Sequence, residues 1–597
     1  MKNIEKEHHL YSQVCSQRRL PFFLLSLFVC IILQAAIFEL AIADKRGEGG
    51  PLRLFYWQAP TIVNPHLSPG TKDLSASRIA YEPLASFDAK GNLIPFLAEV
   101  IPSLENGGVS KDGRTVTWKL KQGVKWSDGQ PFTAADVLFT YEYITNPGVG
   151  ATSASSYDQV KRVKFIDDYT VKVDFKDVNP AWAQPFVGVK GMIIPRHVFE
   201  PYNGPNADEA PANLIAVGTG PYYVKDFKEE DILIIGEDIV STIKISYEPN
   251  PYFREPDKPY FSKVELQGGG GDAIIAAQAV QKGLVDYAWN LQVEDEALAQ
   301  LEAGGKGQVV DLLGAWVERI MINFTDPNKA TESGELSSTR FPHPFLTDKR
   351  VRQAIAYSID RQAIAKLYGR GGRATINLLV SPTIYQSPNS RAEFNLKRAA
   401  ALLEDAGWSD TDGDGIRDKD GRKLSIVFQT SINPVRQQTQ EIVGKALRSI
   451  GFEVELKNID SSIFFGPVGE NTNTRRHFYA DLEEFAYSNK SPDPGAYMKG
   501  WTCSEIAKQA NKWATANWAR YCNPVYDSLY QQSMTELDPA KRRLLFIQMN
   551  DILIEDVTVI PLVHLVDFSG VSRSLKGVDL NPWDVEVWNI KDWRRKE

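Results

Sequence analysis

Two separate stretches of this chain alternate strand-like and helix-like patterns, and this alternation limits the possible folds more than any other feature. In the first stretch, Gly283 ends a helical pattern at 273–282, and apolar strand-like runs precede and follow it at 243–247 and 285–289. The second stretch repeats this order. Its predicted elements are helices at 348–367, 396–406 and 435–450 and strands at 424–428 and 454–456. The β-α-β order favours two α/β lobes over an all-β sandwich.

A turn-rich segment before these stretches has a different character. Thr115–Leu120 alternates polar and apolar residues as a half-buried strand does, and the runs 163–165 and 171–175 have the spacing of a β-hairpin. Thr133, followed by Asp136, predicts the start of a helix. The chain therefore contains a mainly β unit besides its α/β stretches.

Length and composition agree with several folded units. The chain has 597 residues, which is too many for one hydrophobic core. Hydrophobic residues at 43% and charged residues at 24% are typical of globular proteins and exclude a disordered, fibrous or polytopic membrane protein. A formal net charge of -8 and a pI near 5.6 argue against a nucleic-acid partner, which requires a basic surface.

The first 43 residues have the features of a secretory signal peptide. Basic residues precede an apolar run from Leu20 to Leu33, and Ala41-Ile42-Ala43 offers a peptidase site. We predict cleavage after Ala43 and a periplasmic location for the mature chain. The alternative is an uncleaved anchor, because the segment from Leu20 to Ala43 is long enough to cross a bilayer.

Removal of the leader leaves two cysteines. Cys15 and Cys30 belong to the leader, whereas Cys503 and Cys522 remain in the mature chain. Two cysteines in an oxidising compartment predict one disulfide, which would close a loop of about 20 residues and stabilise the fold by roughly 3 kcal/mol. The alternative is two free thiols.

Seven segments of the exported part occur in an order that is typical of one family. They are YEPLASFDAKGNLIPFLAE (81–99), KDGRTVTWKLKQGVKWSDGQPFTAADVLFTYEYI (111–144), GTGPYYV (218–224), YEPNPYF (247–253), FLTDKRVRQAIAYSIDRQAIA (345–365), AALLEDAGW (400–408) and NWARYCNPVYDSL (517–529). This series resembles the extracytoplasmic solute-binding proteins of family 5, which serve ABC importers of oligopeptides, dipeptides and nickel chelates. The resemblance extends from about Leu52 to Leu565, nearly the whole exported chain.

The resemblance implies a fold as well as a function. The fold is α/β and periplasmic binding protein-like, with two lobes joined by two crossovers and an extra, mainly β domain. The implied domains are domain I at 44–83, 212–315 and 560–597, domain II (the extra domain) at 84–211 and domain III (the second α/β lobe) at 316–559. A solute would be enclosed between lobes that close by a hinge motion.

The segment LEEFAYSNKSPDPGAYMKGW at 482–501 is where the resemblance places ligand chemistry. In peptide-binding relatives, an Asp shortly before an acidic-Pro pair receives the α-ammonium of the ligand. Here Asp493-Pro494 is the pair, but residues 487–490 hold no carboxylate. A buried ammonium without a counter-charge is costly. We therefore expect peptides with a neutral or modified N-terminus to bind at least as well as free ones, unless Glu483 or Glu484 substitutes.

Eight residues are predicted to contact the solute. They are Ser68, Trp289, Asn290, Phe485, Tyr487, Ser488, Asn489 and Trp501. Ser488 and Asn489 can accept neutral hydrogen bonds, and Trp289 and Asn290 follow a predicted strand, at the end where α/β proteins bind ligands. For the aromatic residues, packing within the lobes is the alternative. Asp493 has an alternative role as a cap of the following helix.

An acidic loop has the spacing of a calcium-binding loop. Its residues at positions one, three, five, six and nine are Asp410, Asp412, Asp414, Gly415 and Asp418. The twelfth position holds Gly421 where a bidentate Glu is usual, so the alternative is a solvated turn rich in Asp and Gly. The scattered histidines indicate no metal site. No cofactor other than calcium is predicted.

Together these features favour a monomeric, non-enzymatic receptor that binds a peptide or peptide-like solute and delivers it to the permease subunits of an ABC importer. A receptor for a metal chelate, an opine or an oligosaccharide is the alternative within this class. A secreted hydrolase is the alternative outside it. The sequence shows no G-x-S-x-G elbow, zinc motif or P-loop, and Glu483 and Glu484 point to opposite faces of a strand.

Overall fold

A computed structural model describes residues 46–68, 70–235, 238–466 and 472–596. The predicted signal peptide at 1–43 and its cleavage site lie outside the described residues. Among the helices of the described part, none has both the length and the apolar character needed to span a membrane.

The strands are given first, in chain order. They are β1 (Pro51–Tyr56), β2 (Ala85–Phe87), β3 (Leu93–Pro95), β4 (Thr115–Lys119), β5 (Val160–Asp167), β6 (Thr170–Phe175), β7 (Tyr222–Ile235), β8 (Asp238–Pro249), β9 (Lys263–Gly269), β10 (Tyr287–Trp289), β11 (Gly307–Ile322), β12 (Gly372–Ala374), β13 (Asp418–Lys419), β14 (Arg422–Lys423), β15 (Ser425–Ser431), β16 (Glu453–Ile459), β17 (Leu482–Ser488), β18 (Val559–Ser572), β19 (Leu575–Lys576) and β20 (Arg594–Arg595).

The helices follow. They are α1 (Thr71–Arg78), α2 (Ala134–Thr145), α3 (Arg196–Phe199), α4 (Ala273–Lys282), α5 (Asp295–Ala303), α6 (Lys349–Tyr357), α7 (Arg361–Leu367), α8 (Leu396–Asp405), α9 (Pro434–Ser449), α10 (Ser461–Phe464), α11 (Gly495–Lys499), α12 (Pro524–Ser533) and α13 (Pro539–Glu555). Short 3₁₀ segments lie at Ala154–Tyr157, Val189–Gly191, Glu200–Tyr202, Ala207–Glu209, Pro211–Asn213, Gly369–Gly371, Thr383–Tyr385, Cys503–Glu505, Gln509–Asn511 and Ile590–Asp592.

One sheet of eleven strands extends through both lobes. Its order is β16-β15-β17-β11-β18-β10-β1-β9-β8-β7, and β12 joins it by pairing with β18. β15 is parallel to β16 and β17, and β1 is parallel to β9 and β10, as expected where helices connect successive strands. We call the part built on β1 and β7–β10 the first lobe, and residues 323–558 the second lobe.

The long antiparallel strands β11 and β18 connect the two lobes. They pair from Gly307 with Ser572 at one end to Met321 with Val559 at the other. This architecture confirms the predicted two-lobed α/β fold with two crossovers. The proposed domain limits at 315/316 and 559/560 both fall on these strands.

The segment proposed as the extra domain contains the predicted β elements. β4, β6 and β5 form a three-stranded sheet, and β2 pairs with β3. The predicted hairpin corresponds to β5 and β6. α2 begins as predicted, because Thr133 Oγ1 accepts a hydrogen bond from Ala135 N and Asp136 accepts one from Thr133 N. The apolar core of the segment 84–211 is continuous with that of the first lobe.

The α/β elements follow the sequence pattern with one exception. Helix α4 ends at Gly283, whose left-handed backbone (φ 74°) closes the helix as predicted. The single helix expected at 348–367 is wrong: the structure has α6 and α7 instead. The reason is Asp360, whose side chain accepts hydrogen bonds from Gln362 N and Ala363 N and thereby starts a new helix.

Cys503 and Cys522 form the predicted disulfide. It closes a short loop of the second lobe and lies beside the core cluster that contains Trp501 and Tyr526. The bond therefore tethers the start of α12 to the segment that follows α11.

Candidate functional site

A cleft with two connected chambers lies where the crossover strands meet both lobes. The first chamber has a volume of about 690 Å³ and the second of about 580 Å³. Residues that line both chambers are Asn290, Gln292, Leu565, Asp567 and Phe568. Volumes of this size are typical of sites for small solutes.

A bulge in β11 opens the first chamber. Leu313 pairs with Val566 and Val317 pairs with His564, so three residues of β11 face a single residue of β18. These three residues, Gly314, Ala315 and Trp316, line the chamber. The bulge is held by His564, whose Nε2 donates to Gly314 O over 2.7 Å. Bulges re-aim side chains beside functional sites, and here the bulge leaves the Trp316 side chain 40% exposed.

The first-lobe wall is aromatic and locally rigid. The ring of Trp289 stacks on Tyr56 with centroids 5.3 Å apart and on Trp57 with centroids 6.1 Å apart. Trp57 Nε1 donates to Asn290 O over 2.9 Å. Asn290 itself has a left-handed backbone (φ 50°), which turns the chain at the end of β10. Trp289 and Asn290 therefore lie at the cleft, where the sequence places them.

Two buried acidic groups support this wall from the C-terminal segment. Asp584 accepts from Ser86 Oγ (2.6 Å) and pairs with Arg78 at 3.4 Å, with both charged side chains almost fully buried. Glu586 accepts a short hydrogen bond from Tyr56 OH. Burial raises the pKa of Glu586, and burial together with the Glu586 charge raises the pKa of Tyr56. The polar groups of this wall are thus already occupied by each other.

The second-lobe wall leaves polar groups without partners. Ser488, Asn489 and Lys490 line the first chamber at the end of β17. Asn489 is only 4% exposed, yet its Nδ2 has no hydrogen-bond partner among the described residues. Lys490 is exposed and lies near Lys190 of the extra domain; burial and this neighbouring charge lower the pKa of Lys190. An unpaired buried amide is costly unless something binds it.

Four of the predicted contact residues lie away from both chambers. Phe485 is fully buried, with its ring against Trp518 at 5.7 Å. Tyr487 and Trp501 belong to an aromatic group around the Arg319 guanidinium, at 5.1 and 5.5 Å. In a strand, alternate residues face opposite sides, so residues 485 and 487 cannot share a face with Ser488. The structure gives these three aromatic residues packing roles.

Ser68 is the fourth residue that lies away from the chambers. Its Oγ donates to Asn64 O over 2.7 Å, and its backbone carbonyl accepts from Thr152 Oγ1. The first bond lies within the loop, and the second holds the loop against the extra domain. Thr71, three residues later, lines the first chamber.

The second chamber contains a buried ion pair. Glu318 accepts two hydrogen bonds from the Arg436 guanidinium, at 2.9 and 3.1 Å. Glu484 lies close by, is fully buried and has no hydrogen-bond partner within the described chain. Burial, and secondarily the charge of Glu318, raise the pKa of Glu484 well above its usual value. Burial likewise raises the pKa of Glu483, which accepts from Gln429 Nε2. Both carboxyls are fully buried in the second lobe, and neither lines a chamber.

Asp493 has a structural role in this conformation. Its Oδ1 accepts from Gly495 N over 2.8 Å, and its carboxylate pairs with Arg542. Asp493 therefore precedes the N-cap residue Pro494 and accepts from the first N–H of α11, and it has an ion-pair partner besides.

The acidic loop brings three carboxylates together. One oxygen each of Asp410, Asp412 and Asp418 lies within 4.8 Å of the others. Asp414 contacts Lys423 Nζ instead, and the same ammonium lies 3.3 Å from Asp412. Lys423 thus competes with any cation for the loop, and calcium binding stays a prediction.

The cleft also contains residues that were not anticipated from the sequence, among them Trp316, Asp567 and Phe568. All three lie on the crossover strands. Trp316 reaches the cleft in the bulge, whereas Asp567 and Phe568 lie just beyond it, in regular pairing with Leu312 and Asp311. A bulge has no marker in this sequence beyond Gly314-Ala315, so the sequence offered only a weak signal for Trp316.

The family of this chain follows from comparison with known proteins. Fold and cleft together define a two-lobed binding protein. The family described as bacterial extracellular solute-binding proteins, family 5 Middle, matches residues 92–509. The chain belongs to this family of extracytoplasmic solute-binding receptors.

Individual relatives extend over nearly the whole chain. The oligopeptide-binding protein AppA of Bacillus subtilis (strain 168) is 27% identical over 567 residues, which covers 92% of this chain and 92% of AppA. The solved structure of AppA from Bacillus subtilis in complex with a nonapeptide superposes with a TM-score of 0.63 at 24% identity, covering 93% of this chain and 100% of that one. NikZ from Campylobacter jejuni in complex with Ni(L-His) gives a TM-score of 0.65 at 21% identity, covering 91% and 99%.

Proposed function

We propose that this protein is an extracytoplasmic receptor that encloses a peptide or peptide-like solute between its lobes and delivers it to the permease of an ABC importer. The observation that carries the proposal is the cleft, whose walls come from both lobes and from both crossover strands. Closing such a cleft excludes water and gives the importer two distinguishable states of the receptor.

The two walls suit a solute with apolar and polar parts. The first-lobe wall offers the Trp289 ring, and the second-lobe wall offers the unpartnered Asn489 amide. Relatives such as AppA are oligopeptide-binding proteins, which favours a peptide. The relation to NikZ, a protein solved with Ni(L-His), supports a metal chelate of an amino acid as the second candidate.

We propose further that the receptor has no catalytic activity and acts as a monomer outside the cytoplasm. The acidic pair Glu483 and Glu484 is fully buried, and Asp584, Glu586 and Glu318 at the cleft are engaged by neighbouring side chains. Carboxylates held in this way are poorly placed for general acid–base work on a solute.

Native mass spectrometry of the exported, purified protein tests the proposal. We expect a co-purified solute of peptide or amino-acid chemistry, a rise in melting temperature when the solute is added back to stripped protein, and a smaller radius of gyration in X-ray scattering. Release of cleaved products from an added peptide, by protein purified to homogeneity, would contradict the receptor and favour a hydrolase.

A further inference from the structure

One carboxylate that lines both chambers has no partner among the described residues. Asp567 lies on β18, opposite Leu312 of β11. Among the described residues, no hydrogen-bond donor or cation pairs with its side chain. Most other carboxylates that line the chambers are engaged. Asp584 pairs with Arg78, Glu586 with Tyr56, Glu318 with Arg436, and Asp295 accepts from the backbone N–H of Arg370.

The surroundings of Asp567 disfavour a lone negative charge. Its side chain is open to the cleft, but the walls on either side remove much of its water. This desolvation raises the pKa of Asp567 above its usual value. A cation placed beside the carboxylate would reverse that effect, so the site gains from a positively charged guest.

The rings around Asp567 point to the same kind of guest. Trp289, Trp316 and Phe568 line the first chamber together with the carboxylate. Aromatic faces attract cations, and ammonium groups are recognised where a carboxylate and several rings converge. On the opposite wall Lys490 offers a positive charge, which suits a guest that also carries a carboxylate.

We infer that Asp567 is the counter-charge for the ammonium group of a zwitterionic solute, such as the free N-terminus of a peptide, in the cleft. The inference rests on the proposed receptor function and names the solute class of that same site. It opposes the expectation drawn from the missing carboxylate at residues 487–490, which considered only Glu483 and Glu484 as substitutes. Asp567, on a crossover strand, provides the carboxylate that residues 487–490 of the second lobe do not contain.

Asp311 provides a matched control for a substitution of Asp567. It lies on β11 opposite Phe568, one position from the partner of Asp567, and is exposed outside both chambers. Asp567→Asn and Asp311→Asn make the same chemical change on the same strand pair. Similar melting temperatures of the two variants will show that both fold.

Peptide capture from a defined mixture tests the inference. The full exported chain is stripped of solute in guanidinium, refolded and incubated with a casein hydrolysate or with the same hydrolysate after acetylation by acetic anhydride. Native mass spectrometry then counts the retained peptides that contain no lysine, because lysine side chains are acetylated as well. We expect the wild type and Asp311→Asn to retain at least tenfold more from the untreated mixture, and Asp567→Asn to lose this preference.

The possible failures are distinguishable. Equal retention from both mixtures by the wild type, or a preference that survives in Asp567→Asn, would overturn the role of Asp567 and leave the peptide receptor intact. If the wild type retains no peptide from either mixture, the proposed peptide function itself fails, and the inference fails with it.

Discussion

The two walls of the cleft differ in how their polar groups are used. On the first-lobe wall the polar side chains bind one another: Asp584 pairs with Arg78, and Glu586 with Tyr56. On the second-lobe wall the Asn489 amide and the Lys490 ammonium have no partner within the described chain. The acidic side chains of the first wall therefore have partners in the protein itself. We expect the polar groups of the second wall to find theirs in the solute.

This difference separates stability from recognition. Substitutions on the first wall remove interactions that exist in the empty protein, so they should cost folding free energy. Substitutions on the second wall remove groups that are idle without solute, so they should cost affinity instead. Four predictions follow in order of decreasing effect: two test this contrast directly, and two concern regions outside the walls.

Asp584→Ala should lower the unfolding free energy by about 3–5 kcal/mol, because it leaves the buried Arg78 guanidinium without a counter-charge. Urea denaturation monitored by circular dichroism measures the change. Asp177→Ala serves as the control: its pair with Arg114 is exposed, and its loss should cost below about 1 kcal/mol. Equal effects in the two variants would show that the first wall is not held by this ion pair.

Acid should destabilise the parts of the molecule behind the cleft through two neutral histidines, neither of which lines a chamber. Burial lowers the pKa of His66, which contacts the extra domain, and of His477, in the second lobe, to about 4. The unfolded chain takes up these protons near pH 6.5 and the folded chain only near pH 4. The unfolding free energy therefore falls as the pH decreases across this interval, by up to about 3 kcal/mol for each histidine.

Denaturation series at several pH values measure this slope. His66→Asn should reduce the pH dependence of the unfolding free energy by the contribution of one histidine. His66 donates to Met192 O and accepts from Ser153, and it has no carboxylate partner in the described chain that would favour its protonated form. A slope unchanged by this substitution would mean that His66 does not resist protonation.

Asn489→Ala should lower solute affinity about tenfold and change stability little, because the Nδ2 group makes no hydrogen bond that folding would lose. Calorimetric titration with a peptide retained from the casein hydrolysate gives the affinity. Asn517→Ala is the matched control. Its Nδ2 donates to Thr502 O and Tyr521 O in the core, so stability should fall while affinity holds. A loss of stability with unchanged affinity in Asn489→Ala would contradict the proposed difference between the walls.

The acidic loop lies outside both walls and should show the smallest effect. If calcium binds there, addition of millimolar calcium should raise the melting temperature by about 1 °C. The rise should be larger in Lys423→Ala, because this ammonium contacts two of the acidic side chains. A melting temperature insensitive to calcium in both proteins would leave the loop as an Asp-rich turn.

Much of the fold was accessible from local patterns. Thr133 with Asp136, Gly283 and the alternation in Thr115–Leu120 act through neighbouring residues, so the sequence was sufficient to place α2, α4 and β4. The break between α6 and α7 also has a local cause in Asp360. It was missed because the apolar periodicity continues across it.

Only half of the residues predicted to contact the solute lie at the cleft, and the reason is physical. Trp289, Asn290, Ser488 and Asn489 lie at strand ends, and strand ends can be read from the sequence. Which face Phe485 and Tyr487 occupy depends on the register of β17 against β11, and register is set by long-range pairing.

The sequence by itself determined the family, the α/β lobes, the disulfide and the strand ends that reach the cleft. Only the tertiary structure decided that Trp316 and Asp567 line the cleft. Trp316 lies in a bulge of one crossover strand and Asp567 lies on the other crossover strand. Both line the cleft because these strands, which are distant in the sequence, pair with each other, and no local pattern encodes that pairing.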